Sequence, residues 1–285
     1  DVDSDHGPYE FTCAGSAWNL DVVLSRASGT KYLNFNQFDP AGNMQAVSIF
    51  HAYTFNRPHL VKSIVATTQK SSCFIKADSK MYCTGGDRNG DLGNGSESDN
   101  QYTPVEIDMS AHTENNSFLY VSGTQTVWDW RSSFCAVHLN GKIFCWGNGG
   151  LGQLGRNSTS DSNTPVEIDM SAHPEDNDFV SVHLGWQGSV CAVHASGKAF
   201  CWGDNTKGIL GDRSTTQRNA PVEVDMSGTS FTNNFVDFDF GYEYICGVHS
   251  LGDVFCWGAG SAYKFGNNTT ADSLIPQRID MSAHG

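Results

Sequence analysis

Eight of the nine cysteines in this chain form four pairs, and nine residues separate the two members of every pair. The pairs are Cys73 and Cys83, Cys135 and Cys145, Cys191 and Cys201, and Cys246 and Cys256. Paired thiols either form disulfides or bind zinc, but zinc motifs usually place two ligands about two to four residues apart and bring four ligands together. The wide, dispersed spacing therefore predicts four structural disulfides, which are typical of secreted proteins.

Recurring histidines are a second candidate for chemistry, as catalytic groups or as metal ligands. His138, His194 and His249 each stand three residues after the first cysteine of a pair, and Arg26 and Lys76 occupy the corresponding place elsewhere. Because other basic side chains replace the imidazole there, the pattern predicts a solvated strand position without a catalytic role. A further set ends the M-S-A-H segments, and no role is assigned to it: His112, His173 and His284.

Four aspartates recur immediately before Met-Ser: Asp108, Asp169, Asp225 and Asp280. Calcium coordination is one interpretation, because hard cations take several oxygen ligands. The spacing lacks a dense D-x-D-x-D loop, so we expect each carboxylate to accept backbone hydrogen bonds where its strand ends. Segment 85–91 is likewise interpreted as a glycine-rich turn and not as a calcium hand. Without a phosphate loop, nucleophile elbow or H-E-x-x-H motif, the sequence predicts no catalytic residue, metal, cofactor or enzyme activity.

The cysteine spacing predicts a β-hairpin in each copy. In C-A-V-H-L-N-G-K-I-F-C-W-G (135–147), a three-residue turn at 139–141 places Cys135 opposite Cys145. Such turns favour a left-handed third residue, and Gly141 adopts that conformation without Cβ strain. Directly opposed Cα atoms lie about 4.5–5.5 Å apart, within the range of a disulfide.

The hairpin belongs to a longer repeat. A glycine-rich turn follows it, then a strand that we expect to begin at proline, then an alternating strand that leads to the next cysteine. The repeats run approximately 59–113, 114–174, 175–230 and 231–285, with a degenerate copy at 9–58 in which Val23 and Leu33 replace the cysteines. Each supplies about four short strands, which predicts an all-β fold and a single repeat domain over 1–285.

The hairpin run, the G-x-L-G turn and the proline-led strand resemble the regulator of chromosome condensation repeat family over roughly residues 60–285. The resemblance implies a β-propeller or an open propeller-like arc of about five four-stranded blades. Members of that family usually carry seven blades. A closed ring, an open arc and a piece of a larger propeller are therefore all consistent with five repeats.

Charge and hydropathy limit the classes of partner. The formal charge is −14, with 17 Lys plus Arg against 31 Asp plus Glu, and no basic stripe is present. We therefore expect no nucleic-acid partner, and the chromatin role of the resembling family is not carried over. No run approaches the ~20 apolar residues that cross a bilayer. The chain begins without methionine or a signal peptide, which fits either a processed mature form or a truncation.

Glycosylation sequons support an extracellular location. Asn94, Asn157 and Asn268 each follow the repeated turn within two residues and should emerge on one face, and Asn115 and Asn267 also fit the acceptor pattern. Sequons in equivalent loops, beside expected disulfides, indicate a secreted or cell-surface glycoprotein with N-linked glycans.

Two features point to protein partners. Trp128 and Trp130 lie in an insertion at 124–131, where they could contact a partner or cap the core. Cys13 remains unpaired, either as an intermolecular linker or as a buried thiol. We expect a non-enzymatic extracellular scaffold that binds other protein chains and assembles through its terminal repeats into an oligomer or fibre. The alternative is a monomeric recognition module, similar to a protein inhibitor or a lectin.

Overall fold

A computed structural model describes residues 70–280, except 77, 98–99 and 125–131, together with the backbone of seven short strands before residue 70. The chain divides into two compact units, Asp1–Leu60 and Val61–Gly285.

The described strands of the first unit form two-stranded ladders. They are β1 (Glu10–Cys13), β2 (Ser16–Asn19), β3 (Lys31–Leu33), β4 (Gln37–Phe38), β5 (Met44–Gln45) and β6 (His51–Tyr53). β1 pairs with β2, β3 with β6 and β4 with β5, all antiparallel. The described part of this unit therefore contains three two-stranded ladders, and not the four-stranded sheet expected for the degenerate repeat. Leu33 pairs with His51, while Val23 lies outside the described residues.

The second unit contains four antiparallel sheets of four strands, which we number blades 1 to 4. Blade 1 consists of β7 (Ile64–Thr67), β8 (Ser71–Ile75), β9 (Met81–Gly85) and β10 (Gln101–Glu106). Blade 2 consists of β11 (Phe118–Gly123), β12 (Ser133–His138), β13 (Ile143–Gly147) and β14 (Ser162–Glu167). Blade 3 consists of β15 (Phe179–Leu184), β16 (Ser189–His194), β17 (Ala199–Gly203) and β18 (Arg218–Glu223). Blade 4 consists of β19 (Phe235–Gly241), β20 (Tyr244–His249), β21 (Val254–Gly258) and β22 (Ser273–Arg278).

Strands are hydrogen-bonded in chain order within each blade. Short 3-10 turns follow three of the strands, at Arg88–Gly90, Trp186–Gly188 and Ser261–Tyr263. No helix among the described residues is long and apolar enough to cross a membrane.

The second and third strands of each blade form the predicted hairpin. In blade 2, Cys135 is opposite Cys145, Ala136 is opposite Phe144 and Val137 is opposite Ile143. All four expected cysteine pairs are disulfides, with Cα atoms 4.0–4.1 Å apart. Gly141 at the third turn position has a φ of 93°, the left-handed conformation that the three-residue turn requires.

The fourth strand does not begin at its proline. β10 begins at Gln101, three residues before Pro104, and blades 2 to 4 repeat this offset. Proline is tolerated because this strand is at the sheet edge and its ladder is irregular between Gln101 and Val105.

The hydrophobic core lies mainly between successive blades. One cluster combines Ile143, Leu154 and Ile168 of blade 2 with Phe200 and Trp202 of blade 3. The disulfides lie in the same layers, and only Cys246 of the eight cysteines is not fully buried. The contacts between neighbouring blades, called seams below, therefore determine how the repeats are held together.

Candidate functional site

A tryptophan from each later blade hydrogen-bonds back across its seam. The tryptophan that follows the second disulfide cysteine is fully buried in blades 2, 3 and 4. Its indole N–H donates to a carbonyl in the glycine-rich turn of the preceding blade. The bonds are Trp146 Nε1 to Asp91 O (3.2 Å), Trp202 Nε1 to Gln153 O (2.9 Å) and Trp257 Nε1 to Ile209 O (2.6 Å).

The glycine of the repeated L-G dipeptide is required because the indole ring packs directly against it. Gly155 has a φ of 65°, and a Cβ atom there would lie 2.8 Å from Trp202 Nε1. Gly93 and Gly211 have the same left-handed backbone beside Trp146 and Trp257. Any larger residue at these positions would be strained and would displace the ring. The glycine of the turn in one blade therefore leaves the space that the tryptophan of the next blade fills.

Histidines of the M-S-A-H segments also cross the seams, a role that the sequence did not reveal. His112 Nε2 lies 2.7 Å from the carbonyl oxygen of Pro165, and His173 Nε2 lies 2.8 Å from that of Pro221. The His112 ring also meets Phe144 edge to face at 4.8 Å. Each ring thus links one blade to the outer strand of the next. His284 lies outside the described residues.

An N-x-F motif that sequence reasoning missed precedes blades 2, 3 and 4, at 116–118, 177–179 and 233–235. Asn177 Oδ1 accepts the N–H of Ile143 at 3.1 Å, at the start of the third strand of the preceding blade. Asn116 and Asn233 make the same bond to Met81 and Ala199. The phenylalanine two residues later is buried in every copy. The recurrence of the motif is the signal that could have identified it.

Lysines of the G-K turns lie between two carboxylates. Lys142 Nζ is 2.8 Å from Glu114 and 3.0 Å from Glu167, and blade 3 repeats the arrangement with Glu175, Lys198 and Glu223. The hydrogen bond from Lys142 lowers the pKa of Glu114 to about 2.

Blade 4 inverts these charges. Asp253 occupies the lysine position and Arg278 the second glutamate position, with Arg278 Nε 2.6 Å from Asp253 Oδ1. Phe231 replaces the first glutamate, and the Arg278 guanidinium lies 5.6 Å from its ring centroid. A glutamate there would repel Asp253, so all three positions change together.

Replacing Lys198 by aspartate is expected to lower the free energy of unfolding by about 1 kcal/mol, because three carboxylates would then meet at a half-exposed site. The triple variant E175F/K198D/E223R, which copies blade 4, is expected to recover most of this loss. Urea unfolding followed by tryptophan fluorescence measures both. If K198D and the triple variant were equally stable, the three blade 4 residues could not substitute as a set for the three blade 3 residues.

The hairpin histidines are buried, so the expectation of a solvated position was wrong. His138, His194 and His249 are 6%, 7% and 3% exposed. His138 Nδ1 is 2.7 Å from Asn140 Oδ1, and its Nε2 is 3.1 Å from the carbonyl oxygen of Asn115. These rings connect the turn with the segment that enters the blade, which is a structural role.

Three of the four recurrent aspartates accept backbone hydrogen bonds as predicted. Asp169 Oδ1 accepts the N–H of Ser171 at 3.0 Å, and Asp108 and Asp225 accept the N–H two residues later in the same way. Hydrogen bonds from Ser171 lower the pKa of Asp169. Over the described ranges, no three histidine, cysteine or acidic side chains come together as metal ligands.

Polar side chains converge where the first strands of blades 2, 3 and 4 contact one another in succession. His183 on β15 lies between Tyr120 on β11, at a ring distance of 5.8 Å, and Asp237 on β19. His183 Nε2 is 3.3 Å from Asp237 Oδ1, within ion-pair range but without hydrogen-bond geometry. Asp239 is exposed on the same strand.

Aromatic rings lie beyond the ends of these strands. Trp186 follows β15, Tyr242 follows β19, and their rings meet edge to face at 5.2 Å. Gly185, just before Trp186, permits the close approach of Phe240 on β19, because a Cβ atom there would lie 2.3 Å from the Phe240 ring. The combined surface is called the inner rim: Tyr120, His183, Trp186, Asp237, Asp239 and Tyr242.

The inner rim carries two exposed carboxylates, Asp237 and Asp239. Burial lowers the pKa of His183, while Asp237 and Asp239 act in the opposite direction. Burial raises the pKa of Tyr120, and the same two carboxylates raise it further. The Asp237 side chain is 67% exposed, and Tyr242 is 57% exposed. Such a surface can bind a cationic group between carboxylates and ring faces.

The family model described as regulator of chromosome condensation (RCC1) repeat matches residues 140–192 and 196–248. The sheets are RCC1-type propeller blades. The structure of human WBSCR16 superimposes with a TM-score of 0.62 at 19% identity, covering 88% of this chain and 62% of that one. Prp20p from Saccharomyces cerevisiae gives 0.60 at 14% identity, covering 94% and 62%. At these identities the likeness concerns the fold alone.

Curated relatives match over shorter ranges. The ultraviolet-B receptor UVR8 of Arabidopsis thaliana is 29% identical over 57% of this chain and 34% of its own length. The probable E3 ubiquitin-protein ligase HERC3 of Homo sapiens is 30% identical over 50% of this chain and 13% of its own length. The chain thus spans about a third or less of these two relatives.

Sequons on the RCC1-type blades differ in exposure. Asn115, Asn157 and Asn268 are exposed, whereas Asn94 and Asn267 are half-buried. The Asn94 side chain accepts the N–H of Ser96 at 3.0 Å, and Asn267 Oδ1 is buried.

The Asn157 loop lies along a seam. Gly155, two residues earlier, accepts the N–H of Asp169 beyond the end of β14, and the Asn157 N–H donates to Asn219 in the outer strand of blade 3. The loop therefore follows the outer strands and does not project from one end of the sheets.

Three residues predicted to contact partners cannot be placed in the site. Trp128 and Trp130 fall within 125–131, outside the described residues. Cys13 ends β1, and only the backbone of that strand is described.

Proposed function

We propose that this chain is a non-enzymatic, extracellular protein-binding module built from RCC1-type blades, and that the inner rim binds a basic segment of its partner. The observation that carries the proposal is that Asp237 and Asp239 are exposed on β19 beside His183 of β15, while the Trp186 and Tyr242 rings meet just beyond the ends of the same two strands. RCC1-like repeat proteins mediate protein–protein interactions, which supports the class of activity.

Charge complementarity supports a basic partner segment. The chain carries a net charge of −14, and none of the six inner-rim residues is lysine or arginine, although Lys264 Nζ lies 3.5 Å from the carbonyl oxygen of Tyr242. Lysine or arginine can pair with a carboxylate while its stem or guanidinium packs on an aromatic ring. A net negative protein also accelerates association with a basic partner.

Four disulfides support an oxidising environment outside the cytosol. The extracellular location and N-linked glycans at Asn115, Asn157 and Asn268 are part of the proposal, since these three side chains are exposed.

An arrayed library of basic, acidic and neutral peptides tests the inner rim directly, because the charge class of the bound peptides is the readout. The wild-type chain is expected to select lysine- and arginine-rich peptides. The variant D237N/D239N is expected to bind them about tenfold more weakly, because each lost carboxylate removes a charge-assisted contact.

The matched control is E97Q/D176N, which removes two exposed carboxylates away from the inner rim. It is expected to retain the wild-type selection. If both variants lost the same affinity for basic peptides, the binding would depend on net charge and not on the inner rim. If the wild-type chain showed no preference for basic peptides, the proposal would be rejected.

Self-association through the terminal repeats is the second candidate. Gly266 in the blade 4 turn is exposed, whereas the equivalent Gly93, Gly155 and Gly211 are buried against the tryptophan of the next blade. In blade 1, Thr84 stands where blades 2 to 4 have the seam tryptophan. If blade 1 of a second copy packed against the blade 4 turn, it would therefore cover Gly266 without an indole ring. Light scattering at about micromolar concentration tests the candidate, and a purely monomeric mass would reject it.

A further inference from the structure

The turn after β9 in blade 1 contains two carboxylates that are almost completely buried. Asp87 and Asp91 are 3% and 2% exposed, on either side of Arg88-Asn89-Gly90. Asp87 Oδ1 accepts the N–H of Leu92 at 3.2 Å. Asp87 Oδ2 and Asp91 Oδ1 are buried and receive no hydrogen bond from the described part of the chain. Two carboxylate oxygens are therefore enclosed without a donor.

The fold does not require acids at these positions. In blade 3, Asn205 takes the place of Asp87 and its Oδ1 accepts the equivalent N–H, that of Leu210, at 3.0 Å. In blade 2, Gln153 takes the place of Asp91. Neutral amides thus satisfy the same turn geometry. The two acidic residues of blade 1 need a different explanation.

Their electrostatic environment is unfavourable to two free anions. Burial raises the pKa of Asp91 to about 8; Ser132 and Lys70 lower it, whereas Asp87 and Asp161 raise it further. Burial also raises the pKa of Asp87, with the Leu92 N–H opposing this shift and Glu97 adding to it. Two neighbouring buried carboxylates stay ionised together only when a cation compensates them, and otherwise at least one of them takes up a proton.

We propose that this turn binds a divalent cation of the calcium class between Asp87 and Asp91. Asp87 Oδ2 and Asp91 Oδ1 are the charged ligands. Asn89, at the alternate position of a D-x-N-x-D run, and the Ser132 hydroxyl beside Asp91 supply neutral oxygens. Water completes the shell, as is usual for a hard cation. A site with only two acids and otherwise amide and hydroxyl oxygens suits calcium better than zinc.

The site lies against the seam between blades 1 and 2, which provides a local spectroscopic probe. The Asp91 carbonyl accepts the Trp146 indole N–H at 3.2 Å, so the ring is close to the bound ion. Terbium replaces calcium in oxygen sites of this kind and emits when a neighbouring tryptophan is excited. Trp202 occupies the equivalent seam between blades 2 and 3, beside the neutral Gln153.

Terbium titration of the whole chain, after treatment with chelator, is expected to give saturable tryptophan-sensitised emission that excess calcium reverses. D87N and D91Q, which copy Asn205 and Gln153 of this chain, are each expected to lose most of it. W146F is expected to reduce the emission several-fold, whereas W202F retains it.

Equal emission in D91Q and wild type would overturn the proposal, because binding would then occur at other carboxylates. Equal loss in W146F and W202F would overturn the assignment to this seam. Calcium at about one hundred times its dissociation constant is also expected to raise the melting temperature of the wild type by about 5 °C and that of D91Q by much less. Equal rises would count against the site.

Discussion

Replacing Trp202 by alanine is expected to lower the free energy of unfolding by about 3–5 kcal/mol. The indole is fully buried between blades 2 and 3, it fills the space beside Gly155, and it donates to the carbonyl of Gln153. Alanine would leave a cavity and an unpaired carbonyl at once. Urea unfolding monitored by far-ultraviolet circular dichroism measures the loss, since the other tryptophans would confuse a fluorescence signal.

Two variants separate the contributions to that loss. W202F keeps most of the ring volume but removes the N–H donor, so it is expected to cost about 1–2 kcal/mol. W186A removes an indole of the same size from a half-buried position on the inner rim and is expected to cost less than W202A. A W202A loss no larger than that of W186A would show that the seams do not hold the blades together.

The hairpins could be predicted from the sequence because strand geometry leaves little freedom. Successive side chains alternate between the two faces of a strand, so a three-residue turn determines every opposed pair from Val137–Ile143 to Cys135–Cys145. The glycine at the third turn position fixed the turn length. The spacing of two residue types therefore contained the complete register.

The start of the outer strand could not be predicted in the same way. Gln101-Tyr102-Thr103 offers no buried apolar residue that would mark a strand, because the strand lies at the sheet edge and Tyr102 is 92% exposed. The sequence therefore predicts the proline as the first residue of the strand, although an edge strand also accepts proline at an internal position.

Burial of the hairpin histidines depends on contacts that spacing does not show. Lys76 at the same position of blade 1 is exposed and lies 5.1 Å from the Tyr82 ring, which made the position look solvated. His138 is instead held by Asn115, from the segment that enters the blade.

The same limitation applies to the inner rim. Tyr120, His183 and Asp237 are different residue types about sixty positions apart, so no spacing rule connects them. Their proximity follows only from the packing of successive blades.

Reduction of the four disulfides is expected to unfold the second unit at physiological temperature. Each bridge closes a loop of about ten residues and contributes roughly 2–3 kcal/mol. Four together approach the total stability of a typical domain, about 5–15 kcal/mol. Seven of the eight cysteines are fully buried, so reduction requires partial opening and is expected to accelerate in mild denaturant. Circular dichroism after reduction and alkylation measures the outcome.

A variant that lacks one disulfide measures the contribution of a single bridge to the stability of its blade. C191V/C201L uses the pair of residues found at the corresponding positions, Val23 and Leu33, in the first repeat. Apolar side chains can pack across the strands there, so the expected loss is limited to about 2–3 kcal/mol and leaves the chain folded. Mass spectrometry of wild-type protein alkylated in denaturant without reductant should find at most one free thiol, that of Cys13. Eight additional alkylated sulfurs would contradict the bridges, and an unchanged melting temperature after full reduction would contradict their contribution to stability.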